Sequence, residues 1–278
     1  MKKVAIQGIK GSFHEDAASR YFEENVEIME CRSFQKVCAM VDQDEADFAV
    51  MAIENSIAGS LLNNYALMRD YHLRIIGEIY VHIQMNLMVL PGVKKEDLKE
   101  IHSHPIALKQ CVEYIDENFN GIRLQEKSDT AGAAHGLTVD ENRTAAAIGN
   151  LRSANLYGLE VLDTGIETNK KNYTRFLVLA KHGNPAGYGN KASICFEVGH
   201  FHGALARVLN IFSEHHINLT KIQSVPIIGK PKEYSFHLDI EWDSFDDYEK
   251  AIHLVLKNCS SLAILGEYER ADWEIHNQ

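Results

Sequence analysis

The sequence predicts an α/β protein in two parts: a two-lobed region of mostly parallel sheets with a cleft between the lobes, then a βαββαβ ferredoxin-like sandwich. Three observations predict it. Up to about residue 181 the chain repeats a short apolar strand, a tight turn and a helical run, the alternation that yields parallel sheets covered by helices. From His182 to Asn190 it then places three glycines and a proline together, a composition that interrupts regular structure. Beyond that stretch the apolar periodicity reads strand, helix, strand, strand, helix, strand, the ferredoxin-like order.

Taken in order, Val4–Ile6 is a strand, Gly8 to Ser12 a turn and Phe13 to about Phe22 a helix. Phe48–Ile53 leads through Glu54-Asn55-Ser56 to a helix from Ile57 to about Arg69. Ile101 precedes Ser103-His104-Pro105 and a helix from Ile106 to about Asn118. Leu124 leads through Ser128-Asp129-Thr130 to Ala131–Leu137, and Ala145–Ile148 through Gly149-Asn150 to Leu151–Tyr157. Residues 80–90 carry the chain into a second lobe and 160–180 bring it back. The expected domains are therefore 1–181 (lobes of about 1–79 plus 160–181, and 80–159), a linker at 182–191, and 192–278. The last holds strands at 192–198, 217–225, 234–241 and 261–268 and helices at 203–215 and 247–258.

Of the 278 residues 45% are hydrophobic and 24% charged, the make-up of a soluble globular protein with a core. No run of 18 apolar residues and no leader pattern behind Met1 is present, so a cytoplasmic protein with no membrane partner is expected. The net charge of −11 argues against nucleic acid. It also means that an anionic substrate must be drawn in by local donors. Five scattered cysteines without a Cys-x-x-Cys pair read as free thiols. Gly8-x-x-Gly11 lacks the third glycine of a dinucleotide fingerprint, and the histidine pairs 102/104, 200/202 and 215/216 stand apart from any ligand cluster. No cofactor and no metal are expected.

The informative residues sit at the strand-to-helix turns. Ser12 with Glu15, Asn55 with Ser56, Ser103 with Pro105, and Asp129 with Thr130 are capping candidates. Capping alone accounts for any one of them, at about 1 kcal/mol per helix. Four such turns opening on one crevice at the carboxyl ends of strands would present backbone N–H groups and hydroxyls to a small dianion. Asn172-Tyr173-Thr174-Arg175-Phe176 is a polar loop entering an apolar strand, preceded by Lys170 and Lys171. It reads either as an ordinary strand start or as a hydroxyl and a guanidinium delivered to the cleft.

These motifs in this order resemble the prephenate dehydratase family over nearly the whole chain. The resemblance is carried by Gly8-x-x-Gly11-Ser12-Phe13, Ile53-Glu54-Asn55-Ser56-x-x-Gly59, Ser103-His104-Pro105 to Gln110-Cys111, Asp129-Thr130-Ala131, Ala146-Ala147-Ile148 to Tyr157-Gly158-Leu159, and Asn172-x-Thr174-Arg175-Phe176. Ala52 and Ile106 stand where the family usually has proline and glutamine. The resemblance implies two α/β lobes with an active cleft, conversion of prephenate to phenylpyruvate, and a C-terminal ACT domain that binds phenylalanine as feedback effector. It implies Thr174 as donor to the leaving hydroxyl, Arg175 as anion anchor, and Asn55, Ser103 and Gln110 as positioning groups. Ser56, Thr130 and Phe176 are added as substrate-binding candidates and Glu54 as a candidate proton source. ACT domains pair side by side, so a homodimer or homotetramer is expected, with the effector at Gly203, Ala204, Leu205, Asn218 and Leu219. The family's Glu-Ser-Arg-Pro signature reads Gln223-Ser224-Val225-Pro226, losing both charges. A βαββαβ unit could also be an RNA-recognition fold, but from Asn190 to Gln278 there are 8 basic and 13 acidic residues, the wrong balance for RNA. Two other functions compete: arogenate dehydratase, whose substrate carries an amino group in place of the keto group, and a non-enzymatic two-lobed ligand-binding module with an amino-acid sensor.

Overall fold

The structure, a computed structural model, describes residues 1–23, 25–181, 189–227, 229–230 and 232–271; residues 182–188 of the expected linker lie outside the described residues. The chain forms two compact units. One comprises Met1–Asn64 and Ile79–Phe176, the other Tyr65–Glu78 and the described residues from Leu177 to Ala271.

The chain opens with β1 (Lys2–Gln7), α1 (Phe13–Tyr21), β2 (Val26–Cys31), α2 (Phe34–Asp42), β3 (Phe48–Asn55), β4 (Gly59–Ser60), α3 (Leu62–Asp70) and β5 (Arg74–His82). It continues with β6 (Asn86–Val89), β7 (Glu100–Ser103), α4 (Pro105–Gln110), α5 (Val112–Asn118), β8 (Arg123–Glu126), α6 (Thr130–Val139), β9 (Ala145–Gly149), α7 (Leu151–Tyr157), β10 (Glu160–Asp163) and β11 (Tyr173–Ala180). One sheet has the order β2-β1-β3-β11-β5, with β4 folded back on β3, and a second has the order β10-β6-β9-β7-β8. β1 runs parallel to β2 and β3, and β7 parallel to β8 and β9, while β6 is antiparallel to both its neighbours. The inner strands are apolar along both faces, as covered parallel strands must be: Val4–Ile6 and Val178–Leu179 are fully buried. In the second sheet small side chains let a helix lie close, with Ala133, Ala134 and Leu137 of α6 packed on Ala145 and Ala147 of β9.

Three expectations need correction. The stretch 24–47 carries β2 and α2, which were not read from the sequence. The helix expected from Ile57 begins only at Leu62. Asn55 Oδ1 accepts from the backbone of Ile57 and Ala58, and Gly59 at φ 83° turns the chain back into β4. That closed turn replaces the first helical turn. The single helix expected over 106–118 is two, α4 and α5, meeting at Cys111. Its cap is His104, which accepts from the Ile106 N–H, and not Ser103.

The second unit contains β12 (Lys191–Glu197), α8 (Ala204–Glu214), β13 (Asn218–Pro226), β14 (Tyr234–Glu241), α9 (Phe245–Asn258) and β15 (Ser261–Tyr268). Its sheet has the order β13-β14-β12-β15, every pair antiparallel, the ferredoxin-like topology. Ala192, Ile194 and Phe196 join Val208 and Phe212 of α8 and Tyr248, Ala251 and Val255 of α9 in one core. The alternate residues of β12 face the other way and meet the segment 65–78. Lys191 pairs with Glu78 at 2.9 Å and Glu241 at 3.0 Å. His237 stacks at 4.9 Å on Tyr65, and Gly266 lies so close to Ile75 that a Cβ would meet its carbonyl oxygen at 2.1 Å. All five cysteines are free. Among the described residues no helix is long and apolar enough to cross a membrane.

Candidate active site

A cavity of about 600 Å³ opens in the first unit, lined by strands of the first sheet and by turns and helix starts that follow strands of the second. Its wall is made where strands end and helices begin. Ser12 caps α1 by accepting from Glu15 N–H, Ser33 caps α2 from Lys36 N–H, and Asp129 caps α6 from Gly132 N–H. With His104 before α4, four helices start at this cavity. Three of those turns, at α1, α4 and α6, are ones the sequence singles out, the one at α4 with Ser103 expected as the cap in place of His104; the turn before α2 is not.

The polar side of the wall is a chain of amides ending in a hydroxyl. Gln110 Oε1 accepts from Asn172 Nδ2 at 3.1 Å. Asn172 Oδ1 accepts from Asn55 Nδ2 at 2.7 Å, and the same Nδ2 reaches Thr174 Oγ1 at 3.0 Å. Asn55 Oδ1 is already taken by the backbone of Ile57 and Ala58, which fixes the flip of the amide: its NH₂ must face Thr174. Thr174 Oγ1 therefore accepts, and its own proton is left to donate elsewhere. Two residues along the strand, on the same face, Phe176 extends the wall.

The apolar side comprises Phe13, Phe34, Ile83, Met85 and Phe176. His14 sits among them, its ring edge-on to Phe176 at 5.0 Å and 5.5 Å from Phe34. Its Nε2 is buried without a hydrogen-bond partner among the described residues, and burial pushes its pKa down to about 4, so the ring is neutral near pH 7. Arg32 is the one lysine or arginine among the described lining residues.

Of the residues expected at the site, Thr174, Asn55, Gln110, Thr130 and Phe176 meet at this cavity. Arg175, Glu54, Ser56 and Ser103 do not line it. Arg175 follows Thr174 on a strand and so points to the opposite face, where it is 4% exposed. Ser56 Oγ donates to the Lys171 carbonyl and accepts from Tyr173 N–H, tying β3 to the start of β11. Ser103 Oγ donates to the Ile148 carbonyl at 2.7 Å, inside the second sheet. Glu54 faces Ser60 in the β3–β4 pair. In the second unit Gly203, at φ 78°, precedes α8, and Ala204 and Leu205 open it. Asn218 and Leu219 begin β13, beyond the other end of that helix. An 11-residue helix is about 16 Å long, so one chain does not gather these five residues around a single small molecule. Arg32, Phe34, His14 and Asn172 were not among the expected site residues. Asn172 stands in the quoted Thr174 motif without a role. The other signals were legible: Ser33 as a cap before Phe34, Val37, Cys38 and Val41 at helical spacing. Among the described residues no three His, Cys, Asp or Glu side chains converge as a metal site.

The family model for prephenate dehydratase matches residues 4–184. Arogenate dehydratase 2 of Petunia hybrida is 35% identical over 283 residues, covering 96% of this chain and 71% of that protein. The prephenate dehydratase of Arthrobacter aurescens, solved in complex with L-Phe, superposes with a TM-score of 0.87 at 29% identity over 97% of this chain and 90% of its own. A protein described as a quorum-quenching acylase, GqqA, gives 0.88 at 27% identity over 98% of this chain and all of its own.

Proposed function

Because the chain belongs to the prephenate dehydratase family, we propose that it converts prephenate to phenylpyruvate, with water and carbon dioxide as the other products, and that phenylalanine feeds back on it. The reaction takes up one proton: the ring loses its hydroxyl as water and its ring carboxylate as carbon dioxide, and the electron pair of the broken C–C bond completes the aromatic ring. No redox change occurs. The protein has to hold a dianion, assist departure of the hydroxyl, and keep water from the carboxylate that leaves.

The observation that carries this reading is the orientation of Thr174. Its hydroxyl accepts from Asn55 and so offers its proton to the cavity, a donor aimed at a leaving oxygen. A threonine hydroxyl is too weak an acid to be ionised by such a step, so it acts as a hydrogen-bond donor or relay while the proton comes from solvent. Asn55 and Gln110 hold the donor in place and face the substrate, with Thr130 and Phe176 completing the pocket. Ser56 and Ser103 serve the site through the backbone they hold.

The second unit is proposed to be an ACT domain, from about residue 192, that binds phenylalanine between paired copies of the chain. The βαββαβ topology supports this, as does the relative solved with L-Phe. Pairing would also supply from a neighbour what one α8–β13 arrangement keeps apart. Gln223 and Val225, in place of a charged pair, weaken but do not remove effector binding. The test is a side-by-side assay of prephenate and arogenate, with chelator present, with and without phenylalanine. Phenylpyruvate absorbance should rise with prephenate and fall when phenylalanine is added. Turnover of arogenate alone would reassign the substrate, and turnover of neither would overturn the enzyme reading.

A further inference from the structure

Resting on the dehydratase reading, we infer that Arg32 holds the carboxylate the reaction keeps, on the substrate's side chain, and not the ring carboxylate that departs as carbon dioxide. Arg32 lies between the end of β2 and Ser33, the cap of α2. It is exposed, lines the cavity, and is the one lysine or arginine among the described lining residues. A dianion approaching a protein of net charge −11 needs such a local cation, and a guanidinium grips a carboxylate with two parallel hydrogen bonds.

The choice between the two carboxylates follows from the charge each carries at the transition state. The ring carboxylate is losing its negative charge as the C–C bond breaks. A cation paired with it would stabilise the ground state more than the transition state and slow the step. The side-chain carboxylate keeps its charge throughout, so gripping it strengthens binding at no cost to the rate. The rest of the wall agrees with this division. Phe34, Phe176, Ile83 and Met85, with the neutral ring of His14 between the two phenylalanines, form a surface of low polarity, where a carboxylate is poorly solvated and its loss as neutral carbon dioxide is favoured.

Arg32→Gln tests the inference, since an exposed side chain can be replaced without disturbing a core. The KM for prephenate should rise about 10- to 100-fold, with kcat changed by no more than about threefold. Phenylpyruvate, the product, retains the side-chain carboxylate alone, so its inhibition constant should rise by a similar factor. Arg32→Lys should recover part of both effects. If prephenate binding weakens while inhibition by phenylpyruvate stays at the wild-type value, Arg32 grips the departing carboxylate and the inference is wrong. If neither changes, Arg32 does not contact the substrate and the inference is equally wrong. Wild-type protein that turns over neither prephenate nor arogenate would fail at the reading of the reaction, a result separate from either outcome of the Arg32 variants and one that removes the inference with it.

Discussion

Thr174 can donate into the cavity because Asn55 occupies its acceptor side, and Asn55 is oriented in turn by Asn172 and by two backbone N–H groups. Thr174→Val keeps the shape and removes the proton, so kcat should fall about 100- to 10,000-fold with little change in KM; Thr174→Ser should retain most of the activity. Both are read from phenylpyruvate absorbance. Asn172→Leu removes the link between Asn55 and Gln110 and puts an apolar group in a buried polar wall. It should cost about 1–3 kcal/mol of stability and lower kcat as well, measured by urea unfolding beside the assay. At this scale the sequence reveals residues that stand at turns, because Asn55, Gln110, Thr130 and Thr174 belong to short motifs whose spacing is visible. It does not reveal direction. Thr174 and Arg175 are neighbours in sequence and face opposite sides of one strand, while the cation that does line the cavity, Arg32, lies about 140 residues earlier in the chain and is brought there by β2.

Between β12 and β14 the face turned from the helices is polar, and its titration has a definite sign. His237 is 4% exposed, and burial pushes its pKa down to about 4. Above pH 6.5 it is neutral folded or unfolded and costs nothing. Between pH 6.5 and 4 the unfolded chain takes up a proton that the folded one refuses, so stability falls as the pH falls, by up to about 3 kcal/mol from this residue. His14, lowered to about the same value, adds a second loss in the same window. Denaturant midpoints measured across that range should slope downward toward acid, and His237→Phe should flatten the slope. Packing of the same face on the segment 65–78 predicts that Gly266→Ala costs about 1–3 kcal/mol, since the new methyl meets the Ile75 backbone; a thermal melt would register it. Periodicity made the strands and helices of this sandwich legible almost to the residue. It failed at Ile57–Leu61, where an apolar pattern suited a helix but the side chain of Asn55 and the left-handed Gly59 closed a turn first. It failed again at Cys111, where one helix became two.

The whole molecule is less divisible than the linker-like composition of 182–190 suggests, for Tyr65–Glu78 belongs to the same compact unit as the C-terminal sandwich. A chain ended at Lys181 keeps that segment and loses what covers it: Tyr65, Ile75 and Glu78 are at most 4% exposed in the intact protein, against His237, Gly266 and Lys191. Such a chain should melt lower than the full one and aggregate on gel filtration, losing catalysis together with phenylalanine response. Nothing in the composition of 65–78 announces this attachment, because its apolar residues would suit either unit equally well. The arrangement also has a consequence for how the protein is made. Ile75 leaves the ribosome roughly 190 residues before Gly266, which at about 5–20 residues per second is roughly 10 to 40 seconds. Throughout that interval a part of the early chain waits for a neighbour that does not yet exist. The nascent protein therefore completes its second unit only after release of its final strand, and its yield in a cell should depend on whatever shields that waiting segment during translation.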